Sequence, residues 1–69
     1  MDEHIELKAP KGMYRVILVN TTVGIATTIV GDFWDEQQAR IKVLSKGGKN
    51  RVAHLYDDKG NHLHEHGEF

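Results

Sequence analysis

Residues Tyr14 to Val19 read Tyr-Arg-Val-Ile-Leu-Val, apolar on both alternating faces and rich in β-branched side chains. A strand covered on two sides has this pattern, and a first strand is predicted here. After a turn at Asn20-Thr21-Thr22, Val23, Ile25, Thr27 and Ile29 alternate with Gly24, Ala26, Thr28 and Val30. The alternation predicts a second strand that closes a hairpin and ends at Gly31-Asp32.

A change of period follows. Projected at about 100° per residue, Phe33, Trp34, Gln37, Ile41 and Leu44 share a stripe roughly 100° wide, the width of a helix face packed on a sheet. The expected helix runs from Phe33 to Lys46. Asp32 is its expected cap, because a carboxylate there accepts from the free amides of the first turn. Phe33 and Trp34 are its expected anchors in the core. Asp35 and Glu36 suit the positive end of the helix dipole, Lys42 and Lys46 the negative end, and Gly47 is the expected left-handed terminator. The stretch Ala39-Arg40-Ile41-Lys42-Val43 also alternates, with Ser45 to Asn50 as a hairpin loop, and this leaves an all-β small barrel as the alternative. Glu36-Gln37-Gln38-Ala39-Arg40 favours the helix on intrinsic propensity.

Arg51 to Tyr56 is a further predicted strand, Asp57-Asp58-Lys59-Gly60-Asn61 a turn in which Gly60 takes positive φ, and His62 to His66 a last short strand. The expected class is α+β, strand-strand-helix-strand-strand, a small antiparallel sheet with one helix packed on one face. Residues 13–69 are read as one domain. Residues 1–12, with Pro10 and the aliphatics Ile5 and Leu7, are read as a mobile arm or a short edge strand. The order resembles small strand-strand-helix-strand proteins of bacteria and phages, with Phe33 to Ala39 opening the helix and Leu55 to Asn61 ending a strand. That likeness is generic and implies no site; by fold-level analogy it implies a regulator or inhibitor of another protein.

Composition narrows the function classes. The chain has 69 residues, 9 Lys+Arg against 10 Asp+Glu, 28% charged and 39% hydrophobic residues, which fits one near-neutral domain and neither disorder nor a strongly basic nucleic-acid binder. The longest apolar run, Val16 to Val19, falls far short of the roughly 18–20 residues that span a bilayer, so no membrane partner is expected. No cysteine is present and the opening Met1-Asp2-Glu3-His4 is acidic, so a cytoplasmic location without a secretory signal is expected. A chain this short buries only about 60% of its unfolded surface, and a homodimer is the expected remedy.

Three constellations carry candidate chemistry. His62, His64 and His66 alternate along one strand, so three imidazoles would face one ion, with His54 on the neighbouring strand as a fourth ligand. The plainer reading makes them solvated residues of an edge strand with Leu63 inward. Lys46-Gly47-Gly48-Lys49-Asn50-Arg51, with Lys42, is a basic loop whose glycine amides could approach a phosphate. It lacks the Walker spacing and the hydroxyl residue, and its plainer reading is a helix end followed by a solvated turn. Nucleic acid is therefore not the expected partner. Ser45 is the one serine, Asp57 and Asp58 suit turn formation, and neither catalysis nor a cofactor is expected. The expected function is a small non-enzymatic protein-interaction module that docks a sheet edge or helix face on a protein partner or a second copy. Trp34, Val43 and Tyr56 are its expected contact residues. The alternatives are nucleic-acid contact through Lys42, Lys46, Lys49 and Arg51, and transition-metal binding by the terminal histidines.

Overall fold

The computed structural model describes residues 6–21 and 24–68. Strands β1 (Tyr14–Asn20) and β2 (Ala26–Phe33) precede helix α1 (Glu36–Lys46), and strands β3 (Arg51–Tyr56) and β4 (His62–Glu68) follow it. The sheet is open and wholly antiparallel, in the order β2-β1-β3-β4, with α1 on one face. The α+β expectation holds, and the alternative of a closed all-β barrel does not. Because β2 and β3 both run antiparallel to β1, they are parallel to each other. No tight hairpin can join such strands, and α1 is the crossover that does.

The helix starts later than its sequence stripe implied. Asp32 is not its cap: Asp32 stays in β2 opposite Arg15, whose Nε and Nη2 donate to its two carboxylate oxygens at 2.7 and 3.0 Å. β2 runs on to Phe33, whose ring packs against the core. Asp35 caps the helix instead, accepting the Gln37 N–H at 2.9 Å. At the other end Gly47 is extended, with φ −70°, and donates to the Val43 carbonyl at 3.0 Å. Glycine is required there for space, because a Cβ would collide with the carbonyl of His66. The left-handed residue of this turn is Asn50, with φ 63°; Gly60 has φ 84° as expected.

Val16, Ala39, Val43, Ala53 and Leu55 are fully buried between sheet and helix, with Tyr14, Leu18, Val30, Phe33 and Leu63 packed around them. The helix therefore buries Ala39 and Val43, one turn apart, and not the stripe expected from the sequence. Trp34 is 72% exposed, and Ile41 and Leu44 are each 54% exposed. At about 100° per residue Ile41 and Leu44 lie on the far side of the helix from Ala39 and Val43, while Trp34 precedes the extended cap Asp35 and is outside the helix. The helical part of the stripe faces outward. The reason is volume: the helix-facing side of the sheet already carries Tyr14, Leu18, Phe33 and Leu55, and a small residue lets the helix approach such a surface without overpacking. Trp34 is thus no core anchor, although its ring edge leans over Gly12.

On the opposite face Ile17 is buried, with Ile29 beside it on β2 and His54 beside it on β3. Residues 6–12 form no strand. They are fastened to the sheet through Ala9 N–H to the Asp57 carbonyl at 3.0 Å, Gly12 N–H to Asp58 Oδ2 at 2.9 Å and Arg15 Nη1 to the Glu6 carbonyl at 2.6 Å. Ile5, Thr22 and Val23, which bear on the expected edge strand and first turn, lie outside the described residues. Among the described residues no helix is long and apolar enough to cross a membrane.

The two leucines distinguish the faces of this layer arrangement. Truncating the fully buried Leu55 to Ala is expected to cost about 2–5 kcal/mol, and truncating Leu44 to Ala no more than about 0.5 kcal/mol, in denaturant unfolding of dilute protein. Equal costs would mean that α1 is rotated from the orientation described.

Candidate functional site

The outer face of α1 is one of two surfaces with functional character. Gln37, Gln38, Ile41, Leu44 and Ser45 are all exposed there and none is charged, and the exposed Trp34 stands just before the helix cap. In a chain with 28% charged residues, an exposed uncharged helix face with a tryptophan next to its start has the composition of an interface centre. The charges lie at its borders: Arg40 is held to Glu36 at 2.8 Å, and Lys42 stands on the other flank. Of the expected contact residues, Trp34 is exposed and adjoins this face at the start of the helix. Val43 does not, because it is fully buried against the sheet where no partner reaches it. Tyr56 lies on the far side of the sheet, half-buried among histidines.

That far side holds the second surface. β3 and β4 pair His54 with Glu65, Leu55 with His64 and Ala53 with His66, and the register then slips between Leu55 and Tyr56, so that Tyr56 pairs with His62. Side chains paired across strands share a face. His64 and His66 consequently lie on the α1 side with Leu55 and Ala53, and the His66 ring approaches Gly47 at the end of the helix. His62 is carried by the bulge to the opposite face, beside His54, Tyr56 and Glu65. The expected trio of His62, His64 and His66 is therefore divided, because a bulge changes which side of the sheet each later side chain occupies. Glu65, absent from the sequence-derived site, takes the place of the other two. Its spacing from His62, three residues, puts the pair on opposite faces of any regular strand, so the pattern alone conceals it.

The cluster is tight. His54 Nδ1 and His62 Nε2 are 3.1 Å apart, and Glu65 Oε1 lies 3.8 Å from the former and 3.4 Å from the latter. Tyr56 packs edge-on against the His62 ring at 5.2 Å between centroids and lies 6.3 Å from that of His54. Burial beside Ile17 and Tyr56 holds the His54 imidazole below its ordinary pKa; a charge on His62 would lower it further, and Glu65 opposes both. His54 is thus favoured as a neutral imidazole at physiological pH.

The basic loop is already engaged. Gly47 N–H donates to Val43, Gly48 N–H donates to the Arg51 carbonyl at 3.0 Å, and the Gly48 carbonyl accepts the Glu68 N–H at 3.0 Å. The amides expected to approach a phosphate are tied into the fold, and the Lys49 backbone forms an isolated parallel bridge with that of Glu68. Lys46, Lys49 and Arg51 are exposed and Lys42 half-buried. The carboxylates of the β3–β4 turn are likewise occupied. Asp57 accepts from the backbones of Lys59 and Asn61 and from the Asn61 side chain, which lowers its pKa, and Asp58 accepts from Gly12.

No family model, curated protein or solved structure matches this chain, so both surfaces rest on their own geometry.

The sign of the His54 shift has a pH consequence. An unfolded chain protonates this histidine more readily than the folded one, so stability declines as pH falls through 6.5 toward the folded-state value. In metal-free protein, NMR titration of the His54 ring is expected to give a midpoint below 6.5. A midpoint at or above 6.5 would show that the ring is not buried as described.

Proposed function

We propose that the protein is a small non-enzymatic interaction module whose docking surface is the outer face of α1, and that this face pairs with a second copy of the chain. The observation that carries the reading is the exposure of Ile41 and Leu44 on an uncharged helix face, with the exposed Trp34 just before it, while the smaller Ala39 and Val43 are buried. Leaving three large apolar side chains in water forfeits about 25 cal/mol for each Å² that a partner would cover.

The face is self-complementary. In a two-fold, antiparallel pairing centred at the level of Ala39, Gln37 of one copy lies beside Ile41 of the other, and Leu44 reaches past the first turn toward the segment that carries the other copy's Trp34. The same pairing opposes the helix dipoles and sets Glu36 of one copy level with Lys42 of the other. A standard interface takes about 800 Å² from each partner, roughly one sixth of this chain's 4771 Å² surface. An isolated domain with a core this small gains stability from such a contact by mass action. The edges of the sheet remain outside the proposed interface.

Sedimentation velocity across a micromolar series is expected to show a monomer–dimer equilibrium, with Trp34 fluorescence shifting to shorter wavelength as dimer forms. Leu44→Asp, which puts a charge within the apolar part of the interface, is expected to hold the chain monomeric without unfolding it. A wild-type chain that stays monomeric at high micromolar concentration would overturn the pairing, as would a dimer indifferent to Leu44→Asp.

A further inference from the structure

We propose that His54, His62 and Glu65 form a binding site for a single divalent transition-metal ion with zinc-like preferences. Four protein or solvent ligands around such an ion, at bond lengths of about 2.0–2.1 Å, stand about 3.3–3.4 Å from one another. The three donor atoms here, His54 Nδ1, His62 Nε2 and Glu65 Oε1, are separated by 3.1, 3.4 and 3.8 Å. Their spacing is within about half an ångström of that between three corners of such a tetrahedron. Two imidazoles and one carboxylate suit a borderline cation, whereas calcium and magnesium take oxygen.

The scaffold holds the corners from two strands. His54 and Glu65 are directly paired across β3 and β4, the regular part of the ladder. His62 joins them only because of the register slip at Leu55/Tyr56, and bulges commonly re-aim side chains in this way. The Tyr56 ring restrains both imidazoles. His54 is the anchored ligand, its side chain 21% exposed, while Glu65 at 60% faces solvent and leaves an entry path. In the metal-free arrangement the two ring nitrogens face each other at hydrogen-bond distance, so one carries the proton. Binding requires that proton to move, through solvent exchange, to the remote nitrogen of its ring, which leaves a lone pair on each facing atom. Water or an external donor would supply the fourth ligand, His62 and Glu65 both being exposed.

This site lies on the face of the sheet opposite α1 and is independent of the proposed dimer. Its His64 and His66 neighbours, on the α1 side of β4, supply a built-in control. The test begins with Co²⁺ titration of chelator-treated protein, followed by visible absorption, and with Zn²⁺ competition for the bound Co²⁺. One ion per chain, tetrahedral Co²⁺ bands and a dissociation constant in the micromolar range or below are expected. Long-range ¹H–¹⁵N spectra of the wild-type rings during Zn²⁺ addition are expected to move His54 Nδ1 and His62 Nε2 and to spare both nitrogens of His64 and His66. His62→Ala and Glu65→Gln, their folding checked by amide spectra, are expected to weaken binding by at least the about 10–100-fold that outer-shell changes alone cost. A His64→Ala/His66→Ala double variant is expected to bind as wild type. Millimolar affinity, movement of the His64 or His66 nitrogens in place of those named, or loss of binding in the double variant would each overturn the proposal.

Discussion

The close seating of α1 on a sheet whose facing side is already filled by large side chains is the constraint on which the rest of the structure depends. Val16 and Leu55 are fully buried, and Tyr14, Leu18, Phe33, Val30 and Leu63 surround them, so the helix can add little further volume. Ala39 and Val43 meet that condition. Interiors are packed to near-crystalline density, and a helix that turned Ile41 and Leu44 inward would have to stand off from the sheet or strain it. The same condition sends Ile41 and Leu44 outward and produces the uncharged face proposed to pair. Core and docking surface are thus two consequences of one packing decision on a single helix.

The second organising element is sheet register. Both hairpin ladders slip once, between Val16 and Ile17 against β2 and between Leu55 and Tyr56 against β4. Each slip changes which face later side chains occupy. The first lets Val30 reach the core while Ile29 stays beside Ile17 on the other face. The second separates His62 from His64 and His66 and gathers it with His54 and Glu65. Along that face Ile29, Ile17, His54 and Glu65 form one row across all four strands, and Asp32, Arg15, Tyr56 and His62 form the next. The rows grade from apolar and ion-paired on β2 and β1 to metal-ligating on β3 and β4. Arg15, half-buried, has its pKa raised chiefly by its hydrogen bond to Asp32, and with its charge matched there it does not oppose a cation at the histidine cluster.

Much of the architecture is legible in local sequence, because strands and helix are specified by short-range alternation, propensity and turn chemistry. The two-faced apolar run of β1, the helix propensity of residues 36–40 and the Asp57–Asn61 turn each act within a few residues, and all appear where the pattern puts them. The helix start is less legible: Asp32 and Asp35 are equally good caps, and only the cross-strand partner Arg15 claims Asp32 for the sheet. For Gly47 a left-handed cap and a close backbone approach both call for glycine, and the nearby His66 carbonyl decides between them.

The sequence by itself determined the element order, the α+β class and the shared helix face of Gln37, Ile41 and Leu44, though not the Phe33 and Trp34 end of the expected stripe, which lies outside the helix. Periodicity does not record which way that face points. The tertiary structure decided this through the volume of side chains far away in sequence on β1, β2 and β3. It likewise decided the membership of the histidine cluster, because a one-residue bulge is a property of two paired strands and leaves no mark on either strand's own alternation. His62, His64 and His66 are evenly spaced as residues, yet the pairing of β4 with β3 places them on different sides of the protein.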